Sequence, residues 1–434
     1  MGNQDSYAVK VRTDMASLWK SNSPPLDSLD MELTERCNNN CIHCYINLPA
    51  TDLNARQREL STKEIQEIMQ EAASLGCLTI RFTGGEPLLR EDFEDTYIFA
   101  RKLGLRVILL TNATLITPAL AEVFASIPPL QPIEVTLYGM HTSSYEAVTR
   151  ISGSFEAAWR GIHLLLEKKV PFMVKGVLLP PNREEIDEFE SWSSTIPLMD
   201  APPSYSVFFD LRARRDSQQK NRLIEGLRLS PEEVVTFFFR RREQYLKEMR
   251  KFCSQFAKPS RRDIFACGAG MRNGCVDAYG HLQLCMLLRH PATVYDLKKG
   301  SLKDALTNFF PEIRTMKAEN PDYLNRCARC FLHGLCEQCP ARSWMEHGTL
   351  DTPVEYHCEI AHALATALGL LEEGEWAWQI DDWEERIHNF SDGRLACPKT
   401  SHSVARSRRY FSAARPTCSA MRALGASTTK FAVR

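Results

Sequence analysis

The chain has 434 residues, a formal net charge of −1 and 15 cysteines. Its apolar fraction of 44% and charged fraction of 25% exclude a collagen-like or wholly disordered chain, and the near-neutral balance argues against a general nucleic-acid binder. The cysteines are too sparse for a small disulfide scaffold and too many for an enzyme with a few stray thiols.

The first 28 residues are polar, with Pro24-Pro25 near their end, and read as a short arm. They contain no apolar run of secretory type, although Met1-Gly2 with Ser6 fits the short, common myristoylation pattern. No stretch approaches the roughly 18 apolar residues of a membrane span, so no membrane partner is expected. A cytoplasmic location follows, and there cysteines bind metal more often than they pair.

From residue 29 strands and helices alternate. β-branched, apolar runs lie at 29–34, 78–82, 105–110, 132–138, 171–179 and 204–211. Helical periodicity fills 61–75, 91–103, 117–126, 142–169 and 183–195. Ser61-Thr62-Lys63-Glu64 is a capping-box start. The alternation implies βαβ units and a parallel sheet over 29–251, either a barrel, complete or partial, or a flat doubly wound sheet. A long helix is expected at 230–251. A cysteine-dense module follows over 262–371, ending in the apolar helix 359–371. Beyond it lie an acidic stretch at 372–397 with three tryptophans and a basic, disordered tail at 398–434.

Cys37, Cys41 and Cys44 are spaced CxxxCxxC directly after the first strand. Three thiolates converge within eight residues only if the loop curls around something. Zinc ordinarily takes four ligands, and His43 is the nearest fourth donor. An iron–sulfur cluster on three cysteines leaves one iron open. The loop after the second strand reads Gly84-Gly85-Glu86-Pro87, glycines that permit close backbone approach beside a helix start that favours an anion. In a parallel barrel both loops face the same end, where ligands bind.

These two loops, in this order, closely resemble the radical S-adenosylmethionine (SAM) enzymes. The resemblance covers about residues 30–215 and implies a partial (β/α)6 TIM-like barrel. It implies a 4Fe–4S cluster on Cys37, Cys41 and Cys44 whose open iron binds SAM. It further implies that Gly84, Gly85, Glu86 and Pro87 hold the methionine end of SAM, that Thr111-Asn112 and Thr136 lie near the ribose, and that Arg150 meets the carboxylate. An electron donor such as a flavodoxin or ferredoxin is implied as a partner.

The C-terminal module carries Cys267, Cys275, Cys285, Cys327, Cys330, Cys336, Cys339 and Cys358. Its central block is CxxCx5CxxC, short for a zinc ribbon, though a zinc-stabilised binding protein stays open. The pattern resembles the SPASM domain of many radical SAM enzymes, with one residue fewer before Cys339 than is usual. It implies two further 4Fe–4S clusters, one on Cys267, Cys275, Cys285 and Cys339, the other on Cys327, Cys330, Cys336 and Cys358. Cys77, Cys253, Cys397 and Cys418 remain as spectators. SPASM-bearing enzymes mostly act on peptides or proteins, so a peptide substrate is the first expectation, recognised with a separate leader-binding protein if it has a leader. Maturation of a tetrapyrrole or other small cofactor is the alternative. Tyr138, Lys175, Asp210 and Arg212, near predicted strand ends, are candidate substrate-side groups.

Overall fold

A computed structural model describes residues 26–394. The arm through residue 25, the end of the acidic stretch and the basic tail lie outside it, with Cys397 and Cys418.

Six parallel strands form in chain order: β1 (Ser28–Thr34), β2 (Thr79–Gly84), β3 (Arg106–Thr111), β4 (Ile133–Leu137), β5 (Phe172–Val177) and β6 (Ser204–Ser206). Each pairs with its sequence neighbour, giving the partial (β/α)6 barrel. Strand β6 is only three residues long, because the apolar run to 211 leaves the ladder and continues as loop.

Alternation sorts the side chains. Met31, Ile80, Phe82, Val107, Leu109, Val135 and Val174 are buried in one core with Ile65, Met69, Phe93 and Tyr97 of the covering helices. Each such side chain contributes about 1.5–3 kcal/mol of burial. The opposite face is charged: Arg81 pairs with Asp30 at 2.9 Å and Lys175 pairs with Glu134.

The helix Thr62–Ser74 starts at the expected capping box, with both reciprocal bonds between Ser61 and Glu64 present. The expected helix at 142–169 is two helices, Thr142–Thr149 and Ser154–Glu167. Arg150 (φ 57°) and Gly153 (φ 78°) take left-handed backbone between them, which no helix tolerates. The helix expected at 230–251 likewise divides into Pro231–Phe239 and Arg242–Phe256.

The cysteine-rich region joins the barrel sheet. Strand β7 (Asn273–Val276) pairs in parallel with the outer edge of β1 and is followed by antiparallel β8 (His281–Gln283) and β9 (Val294–Asp296). The register sets Cys275 opposite Asp30. Among the described residues no helix is long and apolar enough to cross a membrane.

Candidate active site

The three-cysteine loop is held from several sides. A short parallel ladder pairs Arg36 with Leu48 and Cys37 with Pro49. The backbone N–H groups of Asn40 and Ile42 donate to the carbonyls of Thr149 and Val148, the end of the helix that Arg150 closes. Arg212 is buried and clamps the far side. It donates to the carbonyls of Cys44 and Asn47, each at 3.2 Å, while Asp216 grips it at 2.8 and 3.0 Å.

Burial pushes the Cys37 thiol upward, with the nearby Glu86 carboxylate adding to it, and pushes Cys41 up to about 12, with Cys44 adding to it. The Tyr138 hydroxyl near Cys41 acts the other way and lowers it. Thiols that repel one another's charge and sit out of water stay protonated until a metal takes the proton's place. His43 packs against Tyr138 and Phe209, each ring centroid 5.7 Å away, and burial lowers it to about 4. Its Nδ1 is buried without a hydrogen-bond partner among the described residues.

The glycine loop meets the cysteine loop directly. A Cβ on Gly84 would lie 2.0 Å from the Thr34 carbonyl oxygen, and one on Gly85 would lie 2.2 Å from that of Arg36. The glycines thus serve the approach of two backbones, in addition to whatever ligand they face. Beyond them Glu86 is buried. Its carboxylate accepts from Thr111 Oγ1 and the Asn112 N–H, both at 2.8 Å, and from the Leu88 N–H at 3.1 Å. Burial raises it to about 7 despite these donors. The Asn112 side chain donates to Asn38 Oδ1 at 3.0 Å, next to Cys37. Pro87 opens a short 3-10 turn.

So the structure brings Cys37, Cys41, Cys44, Gly84, Gly85, Glu86, Pro87 and Asn112 into one site. Thr136 is half-buried on β4, opposite Lys175 in the ladder, and Arg150 is exposed. Of the substrate-side candidates, Arg212 is committed to the cysteine loop, Lys175 to Glu134 and Asp210 to Arg342 at 2.8 Å.

The second cysteine group forms two neighbourhoods. Burial raises Cys285 to about 11, with Cys339 and Cys267 adding to it, and raises Cys275, on which Cys285 also acts. Cys327, Cys330, Cys336 and Cys358 line one pocket, partly open to solvent. Burial raises all four, and Cys358 raises each of the other three further.

Among the described residues no three His, Cys, Asp or Glu side chains converge on the position of one metal ion. By the chemistry of the donors, all-thiol sets of this kind fit an iron–sulfur cluster, which takes cysteine thiolates as its ligands.

A family model for the radical SAM superfamily matches residues 31–192, the stretch that holds both loops. The chain carries a radical SAM superfamily domain and is an enzyme. Curated relatives match beyond that radical SAM domain. An AdoMet-dependent heme synthase of Methanosarcina barkeri is 25% identical over 76% of this chain and 94% of its own length. The mycofactocin maturase MftC of Mycolicibacterium smegmatis is 25% identical over 75% of this chain and 81% of its own. Among solved structures, anSMEcpe with bound AdoMet shares the fold, with a TM-score of 0.56 at 14% identity, covering 85% of this chain and all of that one.

Two features of the radical SAM site were hidden from sequence reasoning. The Arg212 clamp lies 168 residues from Cys44. Behind the cysteine loop a buried charge network joins Glu32 and Glu35 to Arg289 and Arg214. The only local signal for either was charge inside otherwise apolar strand runs.

Proposed function

We propose that this radical SAM enzyme matures a tetrapyrrole of the haem type. The observation that carries the reading is the match to heme synthases along almost their whole length. With a 4Fe–4S cluster on Cys37, Cys41 and Cys44, reductive cleavage of SAM supplies a 5′-deoxyadenosyl radical that abstracts hydrogen from the substrate. The chain's own residues place the reactants. Arg212 and the Val148–Thr149 carbonyls fix the cysteine loop, and Glu86 ties the glycine loop to Thr111-Asn112. A flavodoxin or ferredoxin in the cytoplasm supplies the electron. The eight C-terminal cysteines hold two auxiliary 4Fe–4S clusters that relay electrons.

The peptide reading, expected first from the SPASM-like pattern, retains support from the maturase match. One anaerobic assay separates the two. Reconstituted enzyme with SAM and reductant is offered a propionate-bearing tetrapyrrole or a candidate peptide. Tetrapyrrole-dependent 5′-deoxyadenosine with a mass change of the tetrapyrrole supports our reading. Modification of the peptide alone overturns it.

A further inference from the structure

Arg326 stands directly before Cys327, and its guanidinium reaches across to the helix Glu355–Leu368. It grips Glu355 through two bonds of 2.6 and 2.9 Å and donates from Nη2 to Cys358 Sγ at 3.5 Å. Its Nε is buried and finds no hydrogen-bond partner among the described residues, which leaves one more donor at the cavity. Trp378 covers the guanidinium, 5.0 Å from the ring centroid, and stacks on Trp376 at 4.8 Å. His362 pins this cover. Its Nε2 accepts from the Ala377 N–H at 3.2 Å, so in the neutral ring Nδ1 carries the proton toward the Cys358 carbonyl at 2.8 Å. The acidic, Trp-rich stretch therefore closes over the four-cysteine cavity.

We propose that Arg326 and Glu355 form a charge pair that sets the reduction potential of the cluster on Cys327, Cys330, Cys336 and Cys358. This rests on the reading of that set as an iron–sulfur site. One-electron reduction adds a negative charge to a cluster. A guanidinium donating to a ligand sulfur favours the reduced form and raises the potential, and a carboxylate beside it lowers it. The two do not cancel. The Arg326 side chain is 22% exposed and touches the sulfur, while Glu355 is 47% exposed and screened by water.

The test is potentiometric titration, followed by electron paramagnetic resonance, of the anaerobically reconstituted full chain. Cys336→Ala identifies the signal that belongs to this cavity. Arg326→Gln moves its midpoint down and Glu355→Gln moves it up, with the remaining clusters unmoved. Opposite shifts are not expected from mere loosening of the fold. Midpoints that stay put, or shift the same way in both variants, overturn the proposal while leaving the cluster in place. Unchanged iron content and spectrum in Cys336→Ala would instead remove the iron–sulfur reading itself.

Discussion

Glu86 and Asn112 are joined by a 2.8 Å hydrogen bond from the backbone N–H of one to the carboxylate of the other. That bond crosses from the loop after β2 to the loop after β3, and Asn112 carries the connection on to Asn38 in the cysteine loop. The three loops of the site are thus one hydrogen-bonded unit.

Glu86 is the titrating member of that unit. Its folded value of about 7 lies above the ordinary 4.5 because burial disfavours the charged form. The native state then binds more protons than the unfolded chain between those values, so stability falls as pH rises through the window, by about 3 kcal/mol in all. Glu86→Gln removes that slope. It also sets an amide N–H against the Asn112 N–H and costs about 1–3 kcal/mol near neutral pH. Urea unfolding at pH 5.5 and 7.5 of both proteins checks the sign. An unchanged slope in the variant counts against the assignment.

Arg212→Ala strips the clamp from the cysteine loop and leaves Asp216 only its longer bond to Arg214, at 3.3 Å. Removing one partner of a buried pair costs about 3–5 kcal/mol, and the partial exposure of Asp216 puts this case at about 3. Its Arg neighbours hold Asp216 at about 2, so the pair's contribution is full above the ordinary 3.8 and fades as pH falls toward 2. Iron analysis after reconstitution should show the loss of about four atoms per chain from the SAM-binding loop, with the C-terminal iron retained.

Gly85→Ala would drive a methyl into the Arg36 carbonyl at 2.2 Å, backbone against backbone. We expect a destabilisation above about 2 kcal/mol and loss of SAM binding by equilibrium dialysis. Gly226→Ala is the control. Its Cβ would meet nothing nearer than 3.5 Å in ordinary helical backbone, and stability should hold or rise by about 0.4–1 kcal/mol.

Cys41→Ala should abolish 5′-deoxyadenosine formation. Cys330→Ala should keep part of it and lose product, because the two cysteines serve different stages. Coupled chromatography of nucleoside and product reads both. Equal loss in a folded Cys330→Ala protein would indicate a structural role for the C-terminal clusters.

The strands of the barrel were legible because alternation such as Ile80, Phe82 and Val107, Leu109 is written residue by residue. The two site loops were legible because CxxxCxxC and GGEP are local. The break at Arg150 was not, since apolar periodicity runs straight through it, although Gly153 marked the second helix's start. Asp210 and Arg212 looked like groups awaiting substrate because their partners, Arg342 and the Cys44 carbonyl, lie more than 100 residues away in the chain. The pairing of β7 with β1 has no sequence signal of its own.

That last pairing carries a cost in time. Strand β1 is made early, and its outer neighbour β7 begins at residue 273. At about 5–20 residues per second, ribosomal synthesis leaves that edge of β1 without its partner for about 12–50 s. A nascent chain with an open, apolar strand edge is a template for aggregation. Production of this enzyme should therefore respond to slower growth temperature and to chaperone supply, and a chain cut after the barrel would keep that edge open for good.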